Sequence, residues 1–139
     1  MKIKEYLGQA YRIDHRINSK LEQISSLHDL ATKATSTISD MPGSATRNIH
    51  RMEDIIAKIM DLEEEVNKDI DALVDLKMNI THLIKLVDNH EYQISLEQRY
   101  LCFKTWEQIS VDMGYSIQHT FRLHDKALKE VGRIYEDES

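Results

Sequence analysis

The chain has 139 residues, 41% hydrophobic and 30% charged, with four glycines, one proline and a net charge of -6. That length holds one domain, or a small domain with an extended element, and the composition is that of a helical protein rather than a sandwich or a disordered chain. The acidic balance argues against a nonspecific nucleic-acid coat, the single Cys102 rules out an intramolecular disulfide framework, and no window approaches the apolar length of a membrane span.

The start M-K-I-K-E-Y-L-G-Q has no apolar core of an export signal, so a cytoplasmic protein is expected. An amphipathic helix is predicted from about Ile3 to Lys33. Ile3, Leu7, Ala10, Ile17, Leu21, Ile24, Leu27 or His28, and Ala31 recur at the three- and four-residue steps of a heptad seam. The segment Thr35 to Asn48 breaks that period with Ser, Thr, Pro and Gly, and Pro42-Gly43 marks a turn. A loop at 35–48 follows.

The second helix is predicted from about Ile49 to Val87, with no Gly or Pro and with apolar residues at Met52, Ile56, Ile59, Leu62, Val66, Ile70, Leu73, Leu76, Ile80, Leu83 and Val87. At about 1.5 Å per residue it reaches roughly 60 Å. A helix of that length needs a partner along its seam, so the first two helices are expected to form an antiparallel, coiled-coil-like hairpin. Its remaining apolar edge, with Ile55, Met60 and Ile84, is then covered by a second copy in a homodimer. Charge supports this division. Counting Lys and Arg against Asp and Glu, residues 1–50 carry 7 and 5, 51–90 carry 5 and 10, 91–135 carry 6 and 6, and 136–139 carry 0 and 3. Glu63, Glu64 and Glu65 read as a solvated face.

Past Asp88-Asn89-His90 the period falters and a small head begins. Tyr92, Leu96, Tyr100 and Leu101 are expected to support it, Phe103 and Trp106 to seal its core, and Cys102 to lie buried there as an inert thiol. A head that folds by itself from His90 on is the expectation. Thr105 and Gln108 have the spacing of a capping box ahead of a short helix that carries Trp106, Ile109 and Met113 on one side. Gly114 ends that helix in a tight turn, and Ser116 caps the next, whose stripe is Thr120, Leu123, Ala127, Leu128 and Val131. Ser110 supplies the small side chain needed where the two helices cross. Two short helices joined by such a turn form a helix-turn-helix. The division is therefore a 1–88 helical stalk, an 89–135 head and a 136–139 acidic tail, all-α throughout.

These residues carry a resemblance. Leu96, Arg99, Tyr100, Thr105, Gln108, Ile109, Ser110, Met113, Gly114, Ser116, Ala127 and Leu128 match, in order, the pattern of the fourth region of bacterial sigma factors. With N-S-K-L-E-Q-I from Asn18, D-M-P from Asp40 and R-Y-L-C-F-K-T-W-E-Q-I from Arg99, the whole chain resembles phage-encoded sigma-like regulators of the ArpU and RinA late-gene type. The resemblance implies sequence-specific binding of double-stranded DNA, transcription regulation and a contact with RNA polymerase. The chain departs from the sigma pattern at Thr120, where a branched apolar residue is usual, and at Ile117 and Phe121, where charged or polar groups are usual. The promoter element read by sigma factors is therefore not carried over.

Chemistry of other kinds finds little footing. None of the seven histidines follows an acidic residue by three positions, there is no H-E-x-x-H, the glycines are isolated, and no nucleophile signature is present. Catalysis, cofactors and metals are not expected, and the histidines read as surface or boundary residues. In a major-groove docking Gln118 is the expected adenine reader, Arg122 the guanine reader and Phe121 a contact to a thymine methyl. His119, Lys126, Lys129 and Arg99 are candidates for phosphates, and Ser116, Ile117 and Lys104 complete the expected DNA-binding set. Two rivals share the layout: a phage terminase small-subunit-like packaging protein, and an RNA-polymerase-binding interaction module that does not bind DNA.

Overall fold

The computed structural model describes residues 2–38 and 45–138. Within them the chain is all-α: α1 (Ile3–Ile38), α2 (Ala45–Lys85), α3 (His90–Tyr100), α4 (Trp106–Met113) and α5 (Ile117–Glu138), with no strand among the described residues. None of these helices is long and apolar enough to cross a membrane. Helix reaches into the expected loop from both sides, because nothing between Lys33 and Ile38 forbids it. The Thr32 and Thr35 hydroxyls donate back to the carbonyls of His28 and Ala31 at 3.0 and 2.9 Å, which keeps these side chains compatible with a helical backbone. The expected Pro42-Gly43 turn lies outside the described residues. At the other end α5 continues through Glu136 and Asp137 to Glu138, so the described part of the acidic tail is helical.

The chain divides into two compact units, Asp14–Ala72 and Met1–Ile13 with Leu73–Ser139. In Asp14–Ala72, Ile17 and Ile24 of α1 and Ile59, Leu62 and Val66 of α2 are buried. Arg16 and Lys20 both reach Asp69, while Thr35 reaches the Met52 sulfur, so here the two helices pair in opposite directions. Asp69 explains a departure from the expected seam. It takes the inward position that the apolar spacing assigned to Ile70, and Ile70, Ile56 and Leu21 are exposed. The carboxylate accepts from Arg16 Nε and Nη2 at 3.2 and 2.9 Å and from Lys20 Nζ at 2.8 Å. The hydrogen bonds from Arg16 and then Lys20 hold its pKa below the usual carboxylate value.

The other unit has an apolar core drawn from four helices: Leu7 and Ala10 of α1, Ile80, Leu83 and Ile84 of α2 with Val87 just after it, Leu96 and Tyr100 of α3, and Ala127 and Val131 of α5. The residues expected to support a small core of the head share this one with the ends of α1 and α2. Tyr92, Leu101 and Phe103 lie against this core only partly buried, and its centre is furnished by the ends of α1 and α2. Ile84, expected on an edge awaiting a second copy, is fully buried in it. Gly132 permits the close approach of α1, since a β-carbon there would stand 3.2 Å from Ile3 Cγ2. Tyr6 and Tyr135 stack nearby with ring centroids 4.9 Å apart.

Short connections then set the directions of α3, α4 and α5. Asn89 caps α3 by accepting from the Glu91 and Tyr92 backbone N–H groups. The turn from α3 to α4 is closed by backbone bonds from Leu101 and Cys102 to the Glu97 carbonyl and from Lys104 to the Gln98 carbonyl. Phe103 occupies the left-handed region with φ 58°, a conformation that costs a non-glycine residue about 1–2 kcal/mol. Its ring is held in place by an edge contact from Tyr11 at 5.7 Å and by the Lys77 ammonium 4.7 Å from the centroid. Cys102, expected to be buried, is exposed in this turn.

Candidate nucleic-acid interface

The α4–α5 pair is built from local signals that agree with one another. The Thr105 hydroxyl accepts from the Gln108 N–H at 3.2 Å, and the Gln108 side chain accepts from the Thr105 N–H at 2.9 Å, which completes the capping box. Gly114 ends α4 with φ 74°, and its N–H with that of Tyr115 closes the turn on Val111 and Ser110 carbonyls. Ser116 then accepts from the His119 N–H at 3.1 Å at the start of α5.

Thr120 stands where the sigma pattern has an apolar branch, and the structure supplies its partner. Ser110 and Thr120 are both buried at the crossing of α4 and α5, and the Ser110 hydroxyl donates to Thr120 Oγ1 at 3.0 Å. Thr120 Oγ1 donates in turn to the Ser116 carbonyl at 2.9 Å. Two small hydroxyls thus replace an apolar contact while leaving neither polar group unpaired.

A second polar cluster was missed from sequence. His124 is 3% exposed, not a surface residue, with Ser95 Oγ 2.7 Å from Nδ1 and Tyr100 Oη 2.9 Å from Nε2. Both partners come from α3, so the triad ties α5 to α3. Burial, with the nearby charge of Arg99, pushes the imidazole down to about 4, and burial pushes the Tyr100 phenol up to about 12. The histidine is therefore neutral at pH 7, with one ring nitrogen donating and the other accepting. No spacing rule flags this residue, because its partners lie 24 and 29 positions away.

The ten expected DNA-binding residues fall into two groups. Ser116, Ile117, Gln118, His119, Phe121, Arg122, Lys126 and Lys129 are all exposed on the first four turns of α5 or at its cap. Gln118, Arg122, Asp125 and Lys129 follow one another at helical spacing along one face, opposite the buried stripe of Thr120, Leu123, Ala127 and Val131. Among the described residues Arg122, Lys126 and Lys129 make no salt bridge. Phe121 lies edge-on to Trp106 at 5.1 Å, and His119 edge-on to Tyr115 at 4.4 Å. Tyr115 also donates a hydrogen bond to Glu91, which raises its pKa.

Arg99 and Lys104 are placed apart from that face and are already engaged. The Arg99 guanidinium lies over the Trp106 ring at 4.5 Å and donates to the Lys104 carbonyl at 2.9 Å. Lys104 Nζ pairs with Asp112 at 2.9 Å, an ion pair that raises its pKa. Both hold the α3–α4 turn against α4. No group of three or more His, Cys, Asp or Glu side chains suited to a metal ion occurs among the described residues. Compared with family models, with curated proteins and with solved structures, the chain finds no match.

Proposed function

We propose that this chain is a sequence-specific, DNA-binding transcriptional regulator of phage or prophage type, with α4 and α5 as a sigma-region-four-like helix-turn-helix. The observation that carries this reading is the outer face of α5. A helix is anchored by a capped, polar-paired neighbour on one side and offers an amide and three cations outside any salt bridge, Gln118, Arg122, Lys126 and Lys129, with Asp125 among them, on the other. Such a face fits the major groove, where Gln118 can take adenine and Arg122 guanine, while Lys126 and Lys129 serve phosphates.

Homodimerisation belongs to the same reading. In Asp14–Ala72 the α2 residues Ile49, Ile56, Met60 and Ile70 share one face at helical spacing and are exposed, an apolar strip that a second copy would remove from water. Two heads on one dimer would make the second DNA contact intramolecular.

One observation favours a second reading, an RNA-polymerase-binding module. Val111 on α4 is 80% exposed, and Ile117 and Phe121 on α5 are also exposed, which is more apolar surface than phosphate and base contacts require. Selection of bound duplexes from a random library by the full-length chain tests the choice, with solution mass measured alongside. Enrichment of a two-part motif by a dimeric species is the expected result. Absence of any enriched motif, with capture of core RNA polymerase, would replace the first reading with the second.

A further inference from the structure

Between the start of α1 and the α3–α4 turn lies a cleft of about 530 Å³, whose charged lining is Lys2, Lys4, Glu5, Arg12 and Arg99. Its size is within the range of small-molecule sites. Four cations against one carboxylate give the lining a charge of +3, in a chain whose net charge is -6. The remaining wall is aromatic: Tyr11, Tyr100, Phe103 and Trp106 all contribute.

Two local features shape the cleft. Gly8 lies inside α1, where glycine costs about 1 kcal/mol relative to alanine, although a β-carbon there would meet only Arg12 Nη1 at an ordinary 3.6 Å. The backbone therefore tolerates a side chain that would project into the cleft, and none is present. Arg99 is fixed by its bond to the Lys104 carbonyl and by Trp106, so one cation is set before any ligand arrives.

From this we infer that the cleft is a binding site for a small aromatic anion, a planar ring carrying one carboxylate or phosphate. The ring would lie among Tyr11, Phe103 and Trp106, where it buries apolar surface and meets aromatic edges and faces. The anionic group would face Arg12, Arg99 and the two lysines at the rim, where charge-assisted hydrogen bonds orient it. Neither half suffices: a neutral ring leaves the positive charge of the lining unbalanced, and an inorganic anion leaves the apolar wall wet. Ligand binding here does not require that α5 bind DNA, and the site uses no residue of the α5 face.

Trp106 is the only tryptophan of the chain, so its indole N–H gives a single reporter resonance at the cleft. Nitrogen-15 spectra of the full chain would be followed during titration with 4-hydroxybenzoate and, separately, with adenosine 5′-monophosphate. Adenosine and inorganic phosphate serve as the half-ligand controls. A saturable shift of that resonance with at least one of the two anions, at roughly millimolar concentration or below, and little with either control, is the expected result. The tighter of the two assigns the anionic group as carboxylate or phosphate. Arg12→Glu combined with Lys4→Glu should weaken binding at least about ten-fold, and Gly8→Leu should abolish it, while the rest of each spectrum keeps its dispersion. No saturable shift with either anion, or binding that survives the double charge reversal in a folded variant, would overturn the assignment.

Discussion

His124 shows how one buried side chain can set a pH dependence. Its folded-state pKa of about 4 lies below the ordinary 6.5, so between those values the unfolded chain binds the extra proton. The neutral histidine's contribution is then complete above pH 6.5 and is lost as pH falls from 6.5 through 4, on the order of 3 kcal/mol in all. Urea unfolding at a series of pH values should show stability falling in that window, and His124→Gln should flatten the slope there. An equal slope in the two proteins would mean that the imidazole is not held neutral in the fold. On the outer face of α5 the readers and the positioners should separate. Gln118→Ala and Arg122→Ala should each cost about 1–3 kcal/mol on a selected DNA site and relax base preference there, whereas Lys129→Ala should weaken all sequences alike. Site preference left intact by both of the first two changes would refute the proposed docking of α5.

The helices themselves differ in how their pairing is secured. α4 and α5 are joined by a cap, a left-handed glycine and a hydroxyl pair, all within a stretch from Thr105 to Thr120. α1 and α2 depend instead on residues far apart in the chain, with Asp69 answering Arg16 and Lys20 across 53 and 49 positions. Removing that carboxylate leaves two cations, one turn apart on α1, without their partner from α2. Asp69→Ala should therefore lower stability by about 1–2 kcal/mol, a figure kept small because Arg16 is half in water. Chemical denaturation with the double variant Asp69→Ala, Arg16→Ala as the comparison measures the coupling. An additive pair of effects would show that the ion pair contributes nothing.

The molecule as a whole is divided in a way that bears on any attempt to isolate its head. A fragment beginning at His90 keeps α3, α4 and α5 but loses Leu7, Ala10, Ile80, Leu83, Ile84 and Val87, six of the ten residues at the centre of their core. Burying a single large aliphatic side chain is worth about 1.5–3 kcal/mol, and a domain has only about 5–15 kcal/mol of net stability. The fragment should therefore show no cooperative thermal transition by circular dichroism. A sharp transition close to that of the full chain would mean that α3–α5 hold together without the ends of α1 and α2.

What could be read from the residues alone is whatever is decided within a few positions. Thr105 with Gln108, Gly114, Ser116 and the stripe from Thr120 to Val131 fall at spacings that backbone hydrogen bonding and helix periodicity make informative, and α4 begins and ends where they indicate. Long runs of seam residues likewise marked α1 and α2, though not their full extent, since helix propensity carries on into Ser and Thr until something stops it. Beyond that range the pattern is silent. Apolar periodicity says that a face is buried but not against what, so Ile84 read as an edge residue and is core, Ile70 read as seam and is exposed with Asp69 in its place, and Cys102 read as buried and is exposed. His124 and its two partners, and the cleft walled by α1 and the α3–α4 turn, required elements distant in sequence to be brought together. Tertiary packing alone makes those choices, because an ionisable or polar side chain can be buried only where partners from other helices satisfy it, and no local signal records where those partners will be.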